Sequence, residues 1–126
     1  MKLRFLPVFL IVFFAAACAT VDISEDLSPA ELIQRAQEAS DRNRNNAALQ
    51  YYTALQQRYS DNIDLVITAE YHIAHLHYKQ KRFQQAREEL NAMLEYYNTP
   101  DEELLPQHFK RLALIILNNI DEIEEN

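Results

Sequence analysis

After residue 28 the apolar residues of this chain recur at helical spacing, and a few polar breaks divide them into segments. The first segment opens with Ser28-Pro29-Ala30-Glu31. Ser28 can cap the free amides, Pro29 suits the first helical position, and Glu31 can complete a capping box. This helix is predicted to run to about Arg42. Residues 42 to 46, Arg-Asn-Arg-Asn-Asn, read as a turn, because asparagine tolerates the left-handed conformation and competes locally for backbone hydrogen bonds. A second helix then runs to about Tyr59. Ser60-Asp61-Asn62 interrupts the pattern with Asp61 as the expected cap, and a third helix continues to about Gln80. Lys79, Lys81 and Arg82 suit its negative end. The fourth helix is predicted from Phe83 to about Tyr97. Asn98-Thr99-Pro100-Asp101-Glu102 looks like another cap-plus-proline start, and Pro106 should kink or restart the element that follows, since it removes an interior hydrogen bond. A last helix ends near Ile123. On it Phe109, Leu112, Ala113, Ile116, Leu117, Ile120 and Ile123 fall on one stripe, which leaves Leu114 and Ile115 off it, either as ordinary boundary residues or as a docking face for another protein.

The chain begins differently. Lys2 and Arg4 precede an apolar stretch from Phe5 to Phe14, and small residues then lead into Cys18 in the run Phe14-Ala15-Ala16-Ala17-Cys18. A charged, an apolar and a small-residue region in that order make a secretory signal over residues 1–17. The stretch falls short of the roughly 20 apolar residues of a membrane-spanning helix. With its cysteine the segment resembles a bacterial lipobox. It departs from the usual form in having Ala15 where leucine is common, a relaxation found in some bacteria, spirochaetes among them. The resemblance implies that Cys18 becomes the first residue of the mature protein and carries diacylglycerol and fatty acyl groups. Two or three such chains hold a domain stably on a membrane. The alternative is an ordinary signal cut after Ala17, with Cys18 left as a free thiol. Residues 18–27 hold only scattered Val21, Ile23 and Leu27 and read as an acidic tether reaching roughly 30 Å.

At 126 residues there is room for one small domain, over residues 28–126. Loss of Lys2 and Arg4 with the leader takes the net charge from -7 to -9, which argues against a nucleic-acid partner. Glycine is absent and proline occurs four times. That excludes glycine-rich phosphate cradles and most tight β-hairpins, and the expected fold is all-α.

The two predicted hairpins repeat. Ala36 and Ala74, Ala48 and Ala86, Tyr52 and Leu90, Leu55 and Met93, and Tyr59 and Tyr97 are each 38 residues apart. Small residues at two fixed points let paired helices approach closely, while large ones fill the space between neighbouring pairs. Ala36 with Ala48-x3-Tyr52, and Ala74 with Ala86-x3-Leu90, resemble tetratricopeptide repeats, whose period is about 34 residues. The four extra residues are expected between the copies. Asn43 and Lys81 stand where the family has its turn glycine, Ala39 and His77 where it has a first-helix tyrosine, and Ser60 and Asn98 where it has its closing proline. The resemblance covers residues 29 to 98 and implies two tetratricopeptide-like hairpins closed by a C-terminal capping helix, an α-solenoid fragment. It also implies an inner groove lined by Ile33, Gln37 and Ser40 from one copy and by Tyr71, His75 and Tyr78 from the other. The latter three recur at i, i+4 and i+7, a stripe of rings suited to a peptide unless the two tyrosines pack internally, and Lys79 adds a cation at the edge.

Chemistry is sparse. His72-Ile73-Ala74-His75-Leu76-His77 places His72 and His75 one turn apart, yet neither His108 nor Glu70 is spaced to complete a zinc site, so the histidines read as structural or groove-lining. No serine, threonine or cysteine sits in a catalytic setting, and the carboxylates are spread over solvated faces. The expectation is a non-enzymatic protein with no metal and no cofactor beyond the lipid on Cys18.

The lipobox, the short acidic tether and the run from Glu31-Leu32 through Ala36, Ala48 and Tyr52 to Arg58-Tyr59-Ser60-Asp61 together resemble the BamD-like lipoproteins of outer-membrane β-barrel assembly. That family has about five repeats, against two here. The resemblance implies a lipid-anchored scaffold that faces the periplasm, on the outer rather than the inner membrane, with the β-barrel assembly complex and unfolded outer-membrane proteins as partners. The alternative is a periplasmic tetratricopeptide binding subunit of a transporter or cell-wall enzyme complex.

Overall fold

A computed structural model describes residues 20–126. Five α-helices follow one another: α1 Pro29–Asp41, α2 Asn45–Arg58, α3 Ile63–Lys79, α4 Phe83–Leu94 and α5 Gln107–Glu125. Short 3-10 turns at Glu95–Tyr97 and Glu102–Leu104 link the last two, and the described residues include no strand. The chain is all-α: two tetratricopeptide-like hairpins and a capping helix.

Local chemistry accounts for the helix ends. The Ser28 hydroxyl accepts from the Glu31 amide at 3.3 Å, and the Glu31 carboxylate accepts from the Ser28 amide at 2.8 Å, so the capping box forms in full. At α3 the cap is Asn62 and not Asp61. Its side-chain oxygen accepts from the Leu65 amide at 3.2 Å, which sets the start of α3 one residue beyond the expected one. No cap-plus-proline helix begins at residues 98 to 102. That stretch ends in the single turn Glu102–Leu104, and Pro106 restarts the chain as the residue before α5.

The two hairpin turns are copies of each other. Asn43 and Lys81 both have positive φ, 57° and 60°. The Arg44 amide reaches the Ala39 carbonyl at 2.8 Å and the Arg82 amide reaches the His77 carbonyl at 2.9 Å, while the Asn43 and Lys81 amides donate to Ser40 and Tyr78. Each is a Schellman ending built at a position that glycine would fill without strain. α1 and α3 thus end 38 residues apart, at Asp41 and Lys79, and α2 and α4 begin 38 apart, at Asn45 and Phe83. The four residues beyond the usual period do not form a loop. α3 has 17 residues against 13 in α1, so the insertion is an extra turn at the α3 N-terminus.

Two apolar clusters form the core. The first gathers Leu32, Ala36, Ala48, Tyr52 and Leu55 with Ala69 and Leu76 of α3, and the second gathers Ile67, Ala74, Ala86, Leu90 and Met93 with Tyr97 and the inner face of α5. All four repeat alanines are fully buried, each pair at the seam of its own hairpin. α5 buries Phe109, Ala113, Ile116 and Ile120. Leu112 and Ile123, expected on that stripe, are 40% and 46% exposed, because the seat on α3 and α4 is narrower than the apolar face of the helix.

Residues 20–27 do not hang free. Val21 donates its amide to Gln50 Oε1 at 2.9 Å, Arg58 donates to the carbonyls of Ile23 and Ser24, and the Tyr59 hydroxyl donates to the Leu27 carbonyl at 3.2 Å. Ile23 and Leu27 pack against the first cluster. The expected tether is therefore a strap laid along α2, fixed by side chains more than twenty residues away in sequence.

Candidate partner-binding groove

The groove is built on α3, which packs on α5 along its length and meets the C-terminal end of α1 at Lys79 and Ser40. On α3 the rings of Tyr71, His75 and Tyr78 form a line, with centroids 5.9 Å and 6.4 Å apart and planes within 20° of parallel. The helical spacing puts them there, as the sequence predicts. Their accessibility differs along the line. Tyr71 is only 6% exposed, because Phe109 of α5 packs on it at 5.0 Å. It belongs to the core and offers no ring to a partner. His75 and Tyr78 remain half-buried, and Tyr78 leans on Phe83 at 5.8 Å.

From α1, Gln37 is exposed and Ser40 and Ile33 are half-buried, with Ile33 packed on the first cluster. Lys79 donates to the Ser40 hydroxyl at 3.2 Å, so one contact joins the two copies at the groove edge. The accessible groove therefore consists of Gln37, Ser40, His75, Tyr78 and Lys79. Apart from the Lys79 contact its members keep hydrogen-bonding capacity, and its floor is aromatic.

Each histidine of the α3 run has its own packing partner. His72 stacks face to face on Tyr52 at 4.7 Å with Phe109 edge-on at 5.7 Å. Burial drives its pKa down to about 4, helped by His75 and His108. Burial also lowers the pKa of His75, with Lys79 adding to the effect. Burial pushes the Tyr52 phenol up to about 12. His77 is buried and meets the Glu89 carboxylate at 2.7 Å. Among the described residues no three His, Cys, Asp or Glu side chains come together as metal ligands.

On the opposite side of α3, Gln56, Glu70, Ile73, Glu89, Ala92 and Tyr96 line a cleft of about 260 Å³. Glu70 accepts from Gln56 at 2.9 Å and from the Tyr96 hydroxyl at 3.1 Å. Burial raises its pKa, and the two donors hold it back. The sequence presents Glu70 only as a zinc ligand to be set aside, and not as a buried carboxylate with its own partners. The signal was available, since Glu70 stands 38 residues after Leu32, a charged group in the seat of a buried leucine.

On the outer side of α5, Leu114 and Ile115 are 51% and 55% exposed. Ile115 lies one turn from the partly exposed Leu112, while Leu114 stands on the far side of the helix from it. Cys18 and the leader 1–17 lie outside the described residues, and no described helix is long and apolar enough to cross a membrane.

No protein-family model matches the chain, and no solved structure matches it. The chain is similar to an uncharacterized protein of Treponema pallidum (strain Nichols), with 36% identity over 113 residues. The match covers 86% of this chain and 45% of that protein, so the chain spans less than half the length of this relative.

Proposed function

We propose that this protein is a non-catalytic, lipid-anchored adaptor of the bacterial cell envelope, and that it serves as a BamD-like scaffold in outer-membrane β-barrel assembly. One observation carries the adaptor reading. Two hairpins in the same 38-residue register bring the C-terminal ends of α1 and α3 together at the Lys79–Ser40 contact, and they expose there a shallow face of Gln37, Ser40, His75, Tyr78 and Lys79. Such a face suits an extended or helical polypeptide, with ring area for affinity and polar tips for register. The lipobox resemblance of residues 14–18 is what supports an anchor at Cys18.

Recovery of partners from detergent-solubilised membranes tests the assignment. Co-recovery of the large barrel-assembly protein is expected, and repeated recovery of transport or murein proteins alone rejects it. In the same system Cys18→Ser is expected to move the protein from membrane to soluble fractions, and unchanged membrane retention rejects the anchor. Tyr78→Ala with His75→Ala is expected to weaken partner capture while helicity persists.

A further inference from the structure

The cleft across α3 from the groove holds a carboxylate with only one of its oxygens satisfied. Gln56 and Tyr96 both donate to Glu70 Oε1, at 2.9 Å and 3.1 Å, and among the described residues Oε2 has no hydrogen-bond partner. A carboxylate only accepts, so the Gln56 contact must use the amide nitrogen, and Gln56 Oε1 is left as a second unpaired acceptor. Both donors thus converge on one oxygen while two acceptors stay open. The cleft of about 260 Å³ is several times the roughly 30 Å³ that one water takes up in the liquid, so a single water does not complete it.

No cation within the fold answers Glu70. Its burial and the two donors shift its pKa, with no charged neighbour contributing. The other carboxylate of the cleft, Glu89, already meets His77 at 2.7 Å and accepts from Gln85 at 3.2 Å. The basic side chains of α2, α3 and α4 are committed elsewhere: Arg58 to the carbonyls of Ile23 and Ser24, Lys79 to Ser40, and Arg87 to Asp121 and Glu124 of α5. Tyr96 also lines an adjoining groove of about 460 Å³, together with the exposed Ile63 and Leu104 and three acids, Asp64, Glu95 and Asp101. Neither lining contains a lysine, arginine or histidine.

We infer that this cleft is a docking site for an arginine side chain of a polypeptide partner, with the guanidinium on Glu70 Oε2 and Gln56 Oε1 and its stem against Ile73, Ala92 and the Tyr96 ring. A guanidinium carries N–H donors and no acceptor, which complements what the cleft leaves open. It is planar, weakly hydrated and stacks on an aromatic face, whereas an ammonium is a compact charge that holds its water. The adjoining groove takes the residues that flank the arginine, an apolar one on Ile63 and Leu104 and further basic ones beside the acids. This site lies across α3 from the face of Gln37, Ser40, His75, Tyr78 and Lys79, and its assignment stands apart from the lipid anchor and the scaffold reading. It gives a role to a carboxylate in the seat where the first hairpin has Leu32.

The test uses the full chain purified in detergent, labelled with carbon-13 at the glutamate side-chain carboxyls, with Glu70→Gln identifying the Glu70 signal. The probe is a blocked peptide of leucine, arginine and leucine, set against the same peptide with lysine or with citrulline, the uncharged isostere, in place of arginine. The arginine peptide is expected to move the Glu70 carboxyl and Tyr96 ring signals and to bind about tenfold more tightly than the citrulline peptide, as a charged hydrogen-bonded pair does over a neutral one. Glu70→Gln should lose that preference. Ala92→Leu fills the exposed wall of the cleft without touching the Glu70 bonds and should abolish binding. The inference is overturned by equal binding of the arginine and citrulline peptides, by an undiminished preference in Glu70→Gln, or by shifts confined to His75 and Tyr78 on the other side of α3. Lysine binding as tight as arginine overturns the guanidinium assignment. Should Glu70→Gln lose its helicity, Ala92→Leu decides alone, and unchanged arginine binding in that variant overturns the site.

Discussion

The two hairpins share a backbone and differ in what fills it. The first closes on apolar side chains alone, with Leu32, Ala36 and Ala39 of α1 against Ala48, Tyr52 and Leu55 of α2. At the equivalent seats the second has Glu70 for Leu32 and His77 for Ala39, while Ala74 and Ala86 keep the alanine seam. The difference teaches which constraints the fold enforces. Where two helices touch, only volume matters, and both copies use alanine. One turn away a polar group is tolerated, provided a neighbour supplies its hydrogen bond, as Gln56 and Tyr96 do for Glu70 and as Glu89 does for His77.

The largest effect should come from the shared seam. Ala36→Leu and Ala74→Leu each force extra methylenes between helices that already touch, at a cost of about 3 kcal/mol or more in urea unfolding. If one is tolerated and the other is not, the two seams are not equivalent. The next effect belongs to the second hairpin. His72 is held neutral in the fold, and its pKa falls from the ordinary 6.5 to about 4. The unfolded chain therefore binds the proton first as pH drops, and stability should decline between pH 6.5 and 4 by about 3 kcal/mol. Glu70 has the opposite sign, because its raised pKa makes protonation favour the fold, so it offsets part of the decline. In His72→Phe, which keeps the stack on Tyr52, the decline should flatten.

Two smaller changes make the copies more alike. Glu70→Leu gives the second hairpin the residue of the first and should stabilise it by about 1 kcal/mol at neutral pH, with a loss instead if the Gln56 and Tyr96 bonds outweigh the buried carboxylate. Lys81→Gly relieves a left-handed lysine and should raise stability by up to about 1 kcal/mol. Asn43→Gly at the matching turn should gain only a few tenths, since asparagine already accepts that conformation. Thermal midpoints of the two variants compare the turns directly.

Much of this architecture is legible in the sequence because its signals are local. The capping box at Ser28 and the left-handed turn at Asn43 are each set by residues within a few positions of one another, and the alanine seam shows itself by recurring 38 residues on. What escapes notice depends on distant partners. Tyr71 is taken from the groove by Phe109, which arrives from α5. The strap is fixed by Arg58 and Tyr59, and its sparse Val21, Ile23 and Leu27 give no periodicity of their own to announce it. Leu112 and Ile123 follow the helical period of α5 yet miss its seat, since periodicity gives a face but not how wide a neighbour covers it.

The strap also has a mechanical meaning. It runs in the same direction as α2, with its attachments spread from Gln50 to Tyr59, so a pull on the chain before Val21 acts along the line of those bonds. Gln50, Arg58 and Tyr59 would share such a load in shear instead of releasing one after another as a peeled strand does. Tension arriving through the N-terminus is thus spread over the length of the first hairpin before it can unwind Pro29 and the start of α1.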